Sequence, residues 1–181
     1  MHVIPTKIPD AVILEPKVYE DERGFFLESY NEKTLAKSLG FAPHFVQDNH
    51  SHSRQGVLRG LHYQITSPQG KLVRVVTGEV LDVAVDLRRS SPTFGQWASC
   101  VLSAENKRQF WIPEGFAHGF LVLSPSADFL YKTTNYYCAE AERTIRWDDP
   151  DLAIDWQCPV PPILSQKDQQ GQWFKSAEVF V

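Results

Sequence analysis

No stretch of this 181-residue sequence approaches the roughly 20 consecutive apolar residues that a membrane-crossing helix needs. Its start, MHVIPTKIPDAVILEPKVY, lacks the long apolar run behind a basic segment that marks an export signal, so a protein neither exported nor membrane-embedded is expected. Cysteine is scarce. Cys100, Cys138 and Cys158 are odd in number, widely spaced and form no CxxC, which argues against a disulfide framework and a zinc knuckle and fits a reducing cytoplasm. Positive charge is short too: 18 Lys and Arg against 22 Asp and Glu leave a net charge of -4. No basic surface is therefore available for nucleic acid, and an anionic ligand must be gripped by a few placed cations. Neither G-x-G-x-x-G nor G-x-x-x-x-G-K occurs, which excludes the Rossmann and P-loop phosphate cradles. G-x-S-x-G is missing and no cysteine adjoins a histidine, so nucleophilic hydrolysis is poorly supported.

What is present is a chain 43% hydrophobic, enough for one domain over residues 1–181 with a substantial core. Short apolar runs alternate with turn residues about every ten positions, the pattern of an antiparallel sandwich or barrel. LVRVV (72–76), Thr77-Gly78-Glu79 and VLDVAVDL (80–87) together predict a hairpin, with Leu81, Val83 and Val85 on one face and Asp82 and Asp86 on the other. Further strands are expected at 94–102, 109–113, 119–123 and 128–134. Helix is expected at 31–40, where Leu35 and Leu39 are four apart and Gly40 is a stop signal, and near the C-terminus at 165–177. There Ser165 and Asp168 form an S-x-x-D cap pattern. The proline-rich stretch 158–162 before it reads as an extended connector.

Six histidines bear on the chemistry. His2 and His44 read as surface residues. His50-Ser51-His52 puts two imidazoles on one strand face, and P-x-G-x-x-H at Pro113–His118 matches a motif that closes many metal sites of the cupin type. No acid follows His52 before Glu79, so the donor set for a metal is incomplete. Acid–base chemistry is the remaining class, with His62 as base, a tyrosine among Tyr131, Tyr136 and Tyr137 as acid, and Lys71 or His118 facing developing negative charge. Each has a bland alternative: a core histidine, a half-buried strand aromatic, a solvated cation. Arg23, Arg59, Lys71 and Arg74 are the cations placed near segment ends. In LRGLHYQ (58–64), strict alternation separates Arg59 from His62. Only a bulge or twist at Gly60, or a strand that begins after it, turns both toward one pocket.

The stretches IPDAVILEPKVYEDERGFFLESYN, FVQDNHSHSRQGVLRGLHYQ, QGKLVRVVTGEVLDVAVDLRRSSPTFGQW, LSAENKRQFWIPEGFAHGFLVLS, FLYKTTNYY and LSQKD, in order over nearly the whole chain, resemble the dTDP-4-dehydrorhamnose 3,5-epimerase family. The resemblance implies a cupin-type jelly roll dominated by β-structure with a few short peripheral helices. It further implies a cytoplasmic homodimer with strand exchange and an enzyme using no metal and no cofactor. The implied reaction inverts C3 and C5 of dTDP-4-dehydro-6-deoxy-D-glucose, beside its 4-keto group, on the way to dTDP-L-rhamnose for lipopolysaccharide or other cell-surface polysaccharide. By the same resemblance His62 is the general base, Tyr131 the general acid and Asp168 the carboxylate bonded to the base. Lys71 and His118 lie near the keto oxygen. Arg23, Glu28, Gln47, Asn49, Arg59, Glu142 and Lys167 contact substrate, Arg23 and Glu28 from the partner subunit, and Tyr137 stacks on the ligand. A 3-epimerase of another dTDP-deoxysugar pathway and a metal-dependent cupin enzyme are the alternatives.

Overall fold

A computed structural model of the chain describes residues 1–158 and 161–181. The connector expected at 158–162 therefore lies partly outside the described residues. The elements in order are β1 (His2–Pro5), β2 (Val12–Glu15), β3 (Val18–Asp21), β4 (Gly24–Leu27), α1 (Glu32–Leu39), β5 (Gln47–Arg54) and β6 (Leu58–Gln64). They continue with β7 (Lys71–Thr77), β8 (Glu79–Asp86), β9 (Trp97–Ser103), β10 (Gln109–Ile112), β11 (Phe116–Val122), β12 (Ser126–Thr133), β13 (Glu142–Thr144) and α2 (Gln166–Gln169). Among the described residues no helix is long and apolar enough to cross a membrane.

The strands form a six-stranded sheet ordered β1-β2-β10-β7-β12-β5, a five-stranded sheet ordered β13-β6-β11-β8-β9, and a separate hairpin of β3 with β4. Alternation along the strands sorts side chains into three apolar layers. Val73, Val75, Phe110 and Phe129 from the larger sheet meet Val80, Ala84, Leu102 and Phe120 from the smaller one, closing an antiparallel sandwich. On the far side of the five-stranded sheet, Leu61, Leu81, Val83 and Val85 are covered by Ile145, Leu152, Trp156 and the C-terminal residues Val179 and Phe180. On the far side of the six-stranded sheet, Leu14, Leu72 and Trp111 pack under Leu35 of α1. That helix starts and stops where its caps dictate: the Asn31 side chain accepts from the Thr34 N–H at 3.0 Å, and the Gly40 N–H donates to the Ala36 carbonyl at 2.9 Å.

Two expectations need correction. β7 and β8 are not a hairpin: β7 pairs with β10 and β12, β8 with β11 and β9, in different sheets. A single residue, Gly78, separates them, too few for a two-residue hairpin turn, and the chain steps there from one wall of the sandwich to the other. A Cβ at Gly78 would lie 2.0 Å from the Ser126 carbonyl oxygen, so the corner accommodates glycine alone. The C-terminal helix is also shorter than 165–177. It ends at Gln169, and Gln172 instead exchanges backbone hydrogen bonds with Thr144 and Arg146, leaving one 3-10 turn at Phe174–Ser176. Gly171 permits that approach, since a Cβ there would meet the Arg146 nitrogen at 2.9 Å.

Candidate active site

β6 supplies the histidine singled out in the sequence, and its register explains how. His62 lies opposite His118 of β11, whereas Arg59 lies opposite Phe120, with the register shifting by one residue between the two pairs. Gly60 occupies the shift at φ 129, and its peptide bond to Leu61 is cis. Leu58, Leu61 and Tyr63 consequently all join the outer apolar layer. Arg59 and His62 are left on the inner face, so the separation expected from strict alternation does not occur. The guanidinium spans the sandwich, its Nε donating to Ser53 Oγ on β5 at 3.0 Å.

The wrapping of the C-terminal segment brings α2 against β6, where Asp168 Oδ1 accepts from His62 Nε2 at 2.5 Å. Only 3% of the Asp168 side chain is exposed against 24% for His62, so the carboxylate is the buried member of the pair. Its other oxygen accepts from Ser165 Oγ at 2.7 Å, while Ser165 Oγ accepts from the Asp168 N–H at 3.1 Å. Asp168 thus completes the helix cap and grips the histidine at once. Burial works against its ionisation, but the His62 and Ser165 hydrogen bonds outweigh burial and hold the carboxyl below its ordinary range.

Beyond His62, the five-stranded sheet carries His118 and Asp82, and Lys71 of β7 faces them from the six-stranded sheet, all three buried. Both oxygens of Asp82 lie 3.0 Å from His118 Nε2. Burial pushes the Lys71 ammonium down to about 8, against the attraction of Asp82 and Glu142. Burial likewise holds His118 below the ordinary imidazole range. From the opposite wall Tyr131 packs half-buried on the inter-sheet core beside Phe129, and burial raises its phenol above the ordinary range.

A polar rim continues from these walls. Lys167 Nζ donates to Glu142 Oε1 at 2.7 Å and the Tyr137 hydroxyl to Glu142 Oε2 at 3.0 Å. Gln47 accepts from the Tyr137 N–H and donates to Asn49 Oδ1, while Asn49 Nδ2 is buried without a partner among the described residues. An orphaned amide donor in such a place is costly unless a ligand accepts from it. The Tyr137 ring is 56% exposed, open to stacking.

Two expected residues stand outside this constellation within one chain. Arg23 is 85% exposed and bonds Asp21 at the tip of the β3–β4 hairpin, and Glu28 accepts from Asn31. The metal alternative finds no donor set. His50 and His52 both turn to Asp128 on the open face of β5, 59% and 63% exposed, while His118 is inside the sandwich. Among the described residues no group of three or more His, Cys, Asp or Glu side chains is arranged to hold a metal ion. Asp82 is the side chain that sequence reasoning placed on a strand face without assigning it work. Its signal was an acid enclosed by apolar neighbours in VLDVAVDL.

Residues 5–176 match the family model described as dTDP-4-dehydrorhamnose 3,5-epimerase. The dTDP-4-dehydrorhamnose 3,5-epimerase of Pseudomonas aeruginosa is 61% identical over 173 residues, 96% of each chain. Among solved structures, the dTDP-6-deoxy-D-glucose-3,5-epimerase of Legionella pneumophila, in complex with dTDP-4-keto-L-rhamnose, superposes with a TM-score of 0.95 at 56% identity, covering 98% of this chain and 94% of that one. A 3'-monoepimerase of Streptomyces bikiniensis in complex with dTDP-quinovose gives 0.89 at 33% identity, covering 97% and 88%.

Proposed function

This chain belongs to the dTDP-4-dehydrorhamnose 3,5-epimerase family, and from that membership we propose that it inverts C3 and C5 of dTDP-4-dehydro-6-deoxy-D-glucose, on the route to dTDP-L-rhamnose. The observation that carries the chemistry is the His62–Asp168 pair on one wall of the sandwich with Tyr131 on the other. The carboxylate fixes the hydrogen on Nε2 and stabilises the imidazolium, which leaves Nδ1 as the base. The 4-keto group acidifies the adjoining C–H bonds, and His62 removes the proton. The electrons move onto the keto oxygen, where the Lys71 ammonium meets the developing charge. Tyr131 returns a proton from the opposite face, so the centre inverts. Once His62 has released its proton to solvent and Tyr131 has regained one from it, repeating the cycle at the second carbon gives the 3,5-epimer without a cofactor.

Arg59 and Lys167 are suited to the diphosphate, Gln47, Asn49 and Glu142 to polar groups of the nucleotide sugar, and the open Tyr137 ring to the thymine face. Arg23 and Glu28 complete the site from a second copy in a strand-exchanged homodimer, an arrangement supported by the exposed Phe25 and Phe26 on the same hairpin. A cytoplasmic location and a role in supplying rhamnose to cell-surface polysaccharide follow from the substrate. The test is turnover in D2O followed by NMR. Deuterium is expected at both C3 and C5. Exchange at C3 alone would select a 3-epimerase of another deoxysugar pathway, and exchange at neither carbon would end the reading. His62→Ala should abolish exchange and largely retain dTDP binding.

A further inference from the structure

Asp82 lies in the middle of β8 with no exposed surface, and the reaction as derived above gives it no part. A buried carboxylate is costly unless it is paired and hydrogen-bonded, so its partners show what holds it there. Both oxygens lie 3.0 Å from Nε2 of His118, and the Lys71 ammonium supplies the nearby positive charge. Burial raises the Asp82 carboxyl above its ordinary range, opposed by His118 and Lys71; as a carboxylate between these two it only accepts, so the hydrogen sits on Nε2 of the imidazole. The other ring nitrogen, Nδ1, has no protein partner among the described residues.

The charge on this imidazole follows from everything packed around it. Asp82 faces it from β8, Lys71 from β7 and His62 from β6, while Phe129 stacks on it with ring centroids 6.0 Å apart. Asp82 and Lys71 already cancel. A second cation would leave the buried cluster with net positive charge, and burial, Lys71 and His62 all oppose protonation of the ring while Asp82 alone favours it. The imidazole is therefore neutral, and Nδ1 presents a lone pair. A lone pair repels an enolate oxygen but accepts readily from a hydroxyl.

We propose that Asp82 is a positioning residue that locks His118 with its hydrogen on Nε2, so that Nδ1 accepts from a hydroxyl of the sugar and the enolate oxygen falls to Lys71. This deepens the epimerase reading and rests on it for the identity of the ligand. It moves His118 from the keto oxygen, where the family resemblance puts it, to the hydroxyl groups of the ring.

Long-range proton–nitrogen NMR of the histidine rings tests the assignment, in the free protein and with dTDP-6-deoxy-D-glucose, which carries hydroxyls but no ketone. The expected result is hydrogen on Nε2 in both states, with Nδ1 shifting on binding as a hydrogen-bonded acceptor does while gaining no proton. Hydrogen on Nδ1, or an imidazolium in the complex, would overturn the proposal. Asp82→Asn keeps a carbonyl to accept from Nε2 and should preserve the tautomer, whereas Asp82→Leu should lose it and slow C3 exchange about 10–100-fold. Equal slowing in both variants with the tautomer unchanged would also overturn it. Should the leucine variant not fold, the wild-type and asparagine spectra still decide. A protein that exchanges no protons at C3 or C5 would end the epimerase reading without altering the tautomer of the free enzyme.

Discussion

His62 and Asp168, 106 positions apart in sequence, meet with Nε2 and Oδ1 at 2.5 Å, and the contact divides the two ring nitrogens into one that is held and one that is free. An asparagine in place of Asp168 keeps the shape but offers no negative charge to the imidazolium. Asp168→Asn is expected to slow deuterium exchange at C3 by about 10²–10⁴, by analogy with removing the carboxylate behind a catalytic histidine. Binding of dTDP should change little, because that carboxylate faces the histidine rather than the nucleotide. Single-turnover exchange and calorimetric titration with dTDP separate the two effects. A parallel loss of dTDP affinity would place Asp168 in ligand binding instead.

In the proposed reaction Lys71 is expected to set the alkaline side of the pH profile. Its ammonium is pushed down to about 8 by burial, so it is charged below that pH and neutral above it. Only the charged form stabilises an oxyanion, and kcat/KM should fall as pH rises through about 8. Lys71→Met should remove this limb and lower the rate about 10²–10³-fold, the usual cost of losing one donor to an oxyanion. An unchanged alkaline limb in the methionine variant would assign it to another group.

Gly60 carries the register shift that puts Arg59 and His62 on one face. A Cβ there would lie 2.6 Å from the Gly119 Cα and 2.8 Å from the His118 carbonyl oxygen, at a φ of 129 that side chains rarely adopt. Backbone clash and strain together predict that Gly60→Ala destabilises the fold by about 2–4 kcal/mol, measured by urea denaturation. The surviving folded fraction should bind dTDP and exchange protons more weakly than the wild type, since both side chains are displaced together.

Alternation reports exposure residue by residue but not which sheet a strand joins, and the limits of the sequence reading follow from that. The strand at 128–134 and the helix ending at Gly40 are legible because one face of the strand is more buried than the other and a cap marks the end of the helix. β8 is buried on both faces, against the inter-sheet core and against the C-terminal wrap, so its pattern separates two interiors rather than inside from outside. Its pairing with β11 and β9 is a long-range property, and the nearby β7 was the natural but wrong partner. Asp82 went unassigned for the same reason. His62, Lys71, His118 and a tyrosine at 131, 136 or 137 were candidates from their chemistry, whereas the choice of Tyr131, the tie of Asp168 to His62 and the residues on β5 came through the family resemblance, because no local spacing links His62 to Asp168. Strand alternation set against the resemblance, which asks Arg59 and His62 to meet one substrate, located the irregularity at Gly60.

Arg23 and His62 make the strand-exchange proposal testable without a structure of the complex. If each site takes its base from one copy and Arg23 from the other, a dimer of an Arg23→Ala chain with a His62→Ala chain holds one intact site and one doubly damaged site. Random reassortment of equal amounts gives half mixed dimers, each with half its sites restored. Two preparations nearly inactive alone should therefore recover about a quarter of the wild-type rate after mixing and subunit exchange. Dilution that separates the copies should remove the recovered activity. If Arg23 served its own chain's site, mixing would recover nothing at any protein concentration, and the hairpin of β3 with β4 would have to fold back onto its own sandwich.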